Sequence, residues 1–141
     1  MSQHVTVEKA WGAELIVVNR RLTRGAGYCG KRMTLRAGFR CSLHWHHHKD
    51  EVFFVERGRM LVELSQAGIG HLVAHGVIPE YETRVVGPGE SVLVPPGTIH
   101  RFTGLEDVVF FEFSSPDDPA DSFRLEPSGA APQVVRSEGS P

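Results

Sequence analysis

Several things are scarce in this sequence, and each shortage removes a class of protein. Only two of the 141 residues are cysteines, Cys29 and Cys41. That is too few for a disulfide framework and points to a reducing setting in which both stay as thiols. No run of about 18 apolar residues occurs, so no membrane span is expected. The opening "MSQHVTVEKAWG" lacks the basic start and apolar stretch of a secretory signal, which makes the cytoplasm the expected location. Net charge is small, with 15 Lys and Arg against 17 Asp and Glu, a formal -2. Without a basic footprint nucleic acid is not an expected partner, and the short cluster Asn19 to Arg21 reads as a solvated turn. Helical periodicity is missing too: apolar residues never recur at i, i+3, i+4 and i+7 over three turns, so no long helix and no helix-turn-helix is expected.

What remains is a β pattern. A hydrophobic fraction of 40% supports the core of one ordinary domain. Short apolar runs recur between glycine, proline and charged turns: "AELIVV", "GKRMTLRAG", "EVFFVERG", "MLVEL", "HLVAHGVI", "ETRVVGPG", "ESVLVPPG", "HRFTG" and "VVFFEF". Their lengths and punctuation predict an all-β sandwich or barrel. The segment "SQAGIGHLVAHG", with glycines at 68, 70 and 76, reads as a hairpin loop feeding another strand. After Phe113 the composition turns to proline, serine, glycine and charge. Residues 1–125 are therefore assigned to the barrel domain and 126–141 to a flexible tail. Phe123 and Leu125 remain able to pin the segment before it onto the barrel or onto a second subunit.

Chemistry concentrates in "SLHWHHHKDE", Ser42 to Glu51, with four histidines and two acids. Side chains alternate along a strand, so His44 and His46 share a face, and so do His46 and His48. Parity alone leaves that choice open. Were Asp50 the inward acid in place of Glu51, Phe54 and Glu56 would face inward instead of Phe53 and Val55, which favours Glu51. His47, His48 and Lys49 read as a solvated turn. The wider spacing is G-x5-H-x-H-x4-E-x6-G from Gly38 to Gly58, followed by G-x5-P-x-G-x2-H from Gly89 through Pro95 and Gly97 to His100.

At these residues the sequence resembles the cupin superfamily, whose two motifs these are, from Gly38 to Gly104. It departs where Gly104 stands in place of a frequent asparagine. The resemblance implies a small antiparallel β-barrel of jelly-roll (double-stranded β-helix) type, assembled as a homodimer. It also implies one divalent transition metal ion held by His44, His46, Glu51 and His100. Three imidazoles and one carboxylate suit Mn, Fe or Zn, accept Ni, Co or Cu, and leave positions open for water or substrate.

Trp11, Gly12, Glu14, Lys31, Ser42 and Leu43, with the later "EFSSPDD" and "DSFRLEPSG", are similar to the cupin domain of type II mannose-6-phosphate isomerases and small sugar-isomerase cupins. That likeness implies aldose–ketose interconversion of a sugar or sugar phosphate. Such chemistry needs a Lewis acid at the carbonyl and a base near the carbon that loses its proton. Lys31 shares parity with Met33 and Leu35 and should point inward, where a lysine is costly without a partner or a task. It is the first candidate for substrate contact or proton transfer, against the alternative of a stem packed at the mouth with its amine in water. Glu112 is the second candidate, although its apolar neighbours on both parities leave its direction open. Arg101 should face away from His100, while Phe102 should share its face and shape the pocket wall. Tyr28, Tyr81 and Arg84 could reach the mouth, and "PDDPAD" reads as a solvated turn. Two other readings compete with the isomerase. The same ligand set resembles that of cupin dioxygenases using Fe, Cu or Ni, with Phe53, Val55, Val62 and Leu64 as an apolar lining. A non-catalytic sugar- or metal-binding module is the third.

Overall fold

The computed structural model describes residues 4–66, 68–77 and 80–132. In chain order the elements are β1 (Val5–Lys9), β2 (Gly12–Arg21), β3 (Gly27–Leu35), β4 (Phe39–Arg40), β5 (Leu43–Trp45), β6 (Glu51–Arg57), β7 (Met60–Ser65), α1 (Gly68–His75), β8 (Glu82–Val86), β9 (Ser91–Val94), β10 (Ile99–Gly104), β11 (Val108–Ser114), β12 (Phe123–Glu126) and β13 (Gly129–Ala130). All strand pairs are antiparallel. One sheet runs β1-β2-β3-β11-β6-β9. The other runs β12-β5-β10-β4-β13, with β7 on β10 and β8 on β7. This is the jelly-roll arrangement, and each sheet contributes its inward side chains to a shared core.

Alternation decides what enters that core. In β3, Cys29, Lys31, Met33 and Leu35 are buried, and in β6 so are Glu51, Phe53 and Val55. Phe102 lies at the centre, edge-on to Trp11 at 5.4 Å and near Phe53 and Phe110 at 5.7 and 5.0 Å. Fully burying each such ring contributes about 1.5–3 kcal/mol. The outward side of the six-stranded sheet leaves Val17, Phe54, Leu93 and Phe113 exposed. Cys29 and Cys41 are both free and buried.

Turn residues of the two motifs earn their glycines. Gly58 links β6 to β7 at φ 78°, and a Cβ there would collide with the Asp107 carbonyl. Gly97 has φ 79° and donates its N–H to the His46 carbonyl at 2.7 Å, tying the second motif to the first.

Two expectations change. The run expected as a strand, "HLVAHGVI", lies largely within the helix α1, Gly68–His75. Gly76, with φ 73°, ends it by donating to the Leu72 carbonyl at 2.8 Å, a left-handed helix stop that outweighs a short apolar run. The sheet also continues past residue 125. Gly129 pairs with Arg40, and Ala131 is buried with its N–H on the Gly38 carbonyl at 2.8 Å. Residues 133–141 of the expected tail lie outside the described residues. No helix among those described is long and apolar enough to cross a membrane.

Candidate metal centre

His44 lies on β5, His46 just beyond it, and His100 on β10 directly opposite His44. Opposed residues of an antiparallel pair project to the same face, so strand pairing brings the two motifs together. Candidate ligand atoms of His44, His46 and His100 all lie within 4.8 Å of one another. Glu51, the first residue of β6, sets its carboxylate oxygens 3.7 Å from His46 Nε2 and 3.3 Å from His100 Nε2.

The other ring nitrogens are already committed. Nδ1 of His44 meets the Ser42 carbonyl at 2.8 Å, that of His46 the Asp121 carbonyl at 2.8 Å, and that of His100 the Thr98 carbonyl at 2.9 Å. A carbonyl only accepts, so each Nδ1 carries the proton and each Nε2 presents a lone pair inward. Burial, helped by the charge of His100, pushes His44 down to about 3, and burial lowers His46 against the pull of Glu51. Burial would push Glu51 up, but His100, Lys49 and His46 outweigh it and hold the carboxyl below the usual range. Near neutral pH the result is uncharged imidazole at His44 and His46 beside a carboxylate.

Glu51 Oε2 and His100 Nε2 are buried without a hydrogen-bond partner, although they face each other. A carboxylate oxygen and an imidazole nitrogen buried face to face are the kind of donor pair a metal ion would engage. The residues present therefore fit a divalent transition metal, with three imidazole nitrogens that could hold one and a carboxylate beside them.

Beside this nest lies a second layer that sequence reading partly missed. Lys31 points inward as expected, and Glu112 does too; they are 5% and 3% exposed and sit opposite each other on β3 and β11. Lys49, expected in a solvated turn, is 5% exposed instead. It bonds Glu112 Oε2 at 2.8 Å, lies 3.3 Å from Glu51, and bonds Asp117. His47 and His48 beside it are exposed as expected. "PDDPAD" is not a simple solvated turn. Asp117 also pairs with Lys31 at 2.6 Å, and Lys31 with Glu14 at 3.3 Å. The buried Asp121 carboxylate accepts from the backbone N–H groups of His47, His48 and Lys49 at 2.8–3.2 Å. Both departures share one cause: buried lysines need carboxylates, and the loop after β11 supplies them. A signal for Lys49 was present, since it shares parity with Glu51. None marked Asp121.

Charge accounting agrees with the donor set. Lys31 and Lys49 face Glu14, Glu51, Glu112 and Asp117. Two cations against four carboxylates leave the inner end of the cavity, around the nest, locally rich in negative charge, an environment that favours a cation. Burial would lower both lysines, but Glu112 first, then the other carboxylates, raise them. Burial and the charge of Glu51 raise Glu112, outweighing its lysine partners.

These groups open on a cavity of about 630 Å³ whose apolar wall is Trp11, Met33, Phe53 and Phe102. Phe102 thus shapes the wall, while Arg101 turns away to Glu63 at 3.2 Å and Glu126 at 2.7 Å. Val55, Val62 and Leu64 pack in the core and do not line the cavity. Tyr28, Tyr81 and Arg84 do not line it either. The expected apolar pocket is instead one with ionisable groups along much of its wall, because Lys31, Lys49 and Glu112 occupy inward positions.

Two antiparallel sheets around an inward histidine nest define a jelly-roll protein with a candidate metal centre. The cupin family model matches residues 15–137, and the chain belongs to that family. No curated relative matches the sequence. Among solved structures the chain is similar to the capsular polysaccharide assembling protein CapF from Staphylococcus aureus. The TM-score is 0.71 at 20% identity, covering 89% of this chain and 32% of that one. It is also similar to oxalate decarboxylase from Bacillus subtilis, with TM-score 0.67, 21% identity and 86% and 30% coverage. Oxalate decarboxylase from Lactobacillus farciminis gives TM-score 0.68, 21% identity and 86% and 34% coverage. At these identities the likeness is one of fold, and this chain spans about a third of each of those proteins.

Proposed function

We propose that this cupin is a metal-dependent enzyme that interconverts an aldose and a ketose, acting on a sugar or sugar phosphate, with His44, His46, Glu51 and His100 as the metal ligands. The observation that carries the reading is the run of ionisable groups lining one cavity with the histidine nest: the buried Lys31, Lys49 and Glu112, and the half-buried Asp117. A bound divalent ion would supply polarisation of the substrate carbonyl and its neighbouring hydroxyl.

The chain's own residues divide the remaining work. Glu112 takes a proton from the hydroxyl-bearing carbon next to the carbonyl and returns it to the former carbonyl carbon, while the hydroxyl proton passes to the former carbonyl oxygen. Burial, which raises this carboxyl, brings it nearer the working pH of a general base. Lys49 and Ser114 hold Glu112 Oε2 at 2.8 and 2.9 Å and so fix the acceptor. Lys31, kept protonated by Glu112, then Glu14 and Asp117, serves as a hydrogen-bond donor to substrate oxygen rather than as a base. Trp11, Met33 and Phe102 exclude water from one side. The likeness in fold to CapF, a capsular polysaccharide assembling protein, is in keeping with a carbohydrate ligand. Of the apolar lining on which the dioxygenase alternative partly rested, Phe53 faces the cavity while Val55, Val62 and Leu64 pack in the core.

The test is metal analysis of purified protein, followed by anaerobic incubation with aldoses, ketoses and their phosphates in D₂O. Near-stoichiometric metal and deuterium incorporation at carbon are expected, and Glu112→Gln should slow incorporation by about 10²–10⁴-fold with metal content retained. Metal-loaded protein that exchanges no C–H proton, or that turns over only with oxygen, sinks the isomerase.

A further inference from the structure

Four lysine or arginine side chains line the cavity: Lys9, Lys31, Lys49 and Arg124. Lys31 and Lys49 are spent on carboxylates. Lys9 and Arg124 have no ion pair and no side-chain hydrogen bond among the described residues. Asp118, the lining carboxylate not engaged with those two lysines or the histidines, is held by Arg21 at 3.6 Å.

Strand register aims both free cations inward. Arg124 of β12 lies opposite His44 of β5, and opposed residues share a face, so its guanidinium is on the side of the histidine nest. On β1, Val7 lies opposite Glu14 of β2. Lys9, two residues on, shares that face, the face from which Glu14 reaches Lys31. Lys9 is half-buried and Arg124 exposed, which places them on the outer side of a cavity whose inner end is negative. Ser122 and Ser128 line the same cavity and carry hydroxyl donors. Ordinary solvated cations have no reason to be turned inward in pairs from two different sheets.

We propose that Lys9 and Arg124 form an oxyanion-recognition site, so that the substrate is a polyol carrying phosphate or carboxylate at the end away from the histidine nest. The proposal rests on the cavity being the sugar site, and it goes beyond that reading by naming the substrate's charge and the residues that select it. Arginine and lysine are the side chains that grip such oxygens, through charge-assisted hydrogen bonds. Free sugars, lacking the anion, leave both cations unanswered.

Trp11 lies in the cavity wall, so binding can be followed by its fluorescence independently of turnover. The probes are fructose, fructose 6-phosphate and gluconate, titrated into purified metal-loaded protein, Lys9→Gln and Arg124→Gln. Fructose 6-phosphate or gluconate should bind at least about tenfold more tightly than fructose, with an advantage that shrinks as salt rises. The tighter of the two tells phosphate from carboxylate. Each variant should weaken anion binding by about tenfold while leaving fructose binding and metal content unchanged. Anionic and neutral ligands binding alike, or either variant binding anion as tightly as the parent, overturns the proposal. Charge-dependent binding without C–H exchange would fell the isomerase and leave this site standing; exchange on fructose as fast as on its phosphate would do the reverse.

Discussion

Asp117 shows how one side chain can serve two partners. It joins Lys31 to Lys49 and keeps a third of its side chain in water. Burial would raise its carboxyl, but the charge of Lys49 and the bonds from both lysines outweigh burial and lower it. Its folded value therefore lies below the unfolded one, about 3.9. A depressed carboxyl contributes stability that is present above the unfolded value and lost as pH falls through the folded one. Asp117→Asn is expected to cost about 2 kcal/mol at neutral pH, less than a fully buried pair because of that exposure. It should also flatten the loss of stability below about pH 4. Urea denaturation across that range reads both, and an acid limb matching the parent's would refute the assignment.

The segment from Ser115 to Ala131 does more than finish the chain. Its Ser115 hydroxyl accepts from the Asp50 N–H at 3.0 Å, and Phe123 stacks on Trp45 at 4.5 Å. Asp121 grips the His46 ring by its carbonyl and three backbone N–H groups by its carboxylate. Removing that carboxylate leaves three backbone donors without their acceptor, the one on buried Lys49 costing about 1–3 kcal/mol, and frees the loop that aims His46. Asp121→Ala should therefore weaken metal binding by about 10–100-fold, measured by chelator competition. Asp118→Ala, which loses only a bond to the Ala120 N–H at 3.0 Å and an exposed pair with Arg21, should bind metal as the parent does. Equal affinities for both variants would remove the positioning role. Strands were legible because alternation and glycine turns are local signals. The helix α1 was not, since eight residues are too few for a helical period to stand out from a short apolar run.

Across the whole molecule the excess of carboxylates around the histidine nest ties folding to metal. A cation bound by the folded chain alone stabilises it by about 2.7 kcal/mol at a hundredfold excess over Kd, which for a chain of this size raises Tm by roughly 5–10 °C. Removing metal with a chelator should lower Tm by that amount, and restoring Mn, Fe or Zn should recover it. Glu51→Gln, which deletes one of the surplus charges, should show a smaller metal-dependent rise. A Tm indifferent to metal in the parent would contradict the charge argument.

The strands, the two motifs and the inward pointing of Lys31 were readable directly, because strand alternation and turn glycines act over a few residues. Motif spacing, through the family it resembles, also marked His44, His46, Glu51 and His100 as one set. Chain folding alone decided that Lys49 meets Glu112 inside the cavity, and that Asp117 and Asp121 come from a distant loop to join it. These pairings link residues more than sixty positions apart, and no local pattern encodes a partner at that distance. The cost of burying a charge imposes the pairing, and it acts only once two sheets have closed around the site.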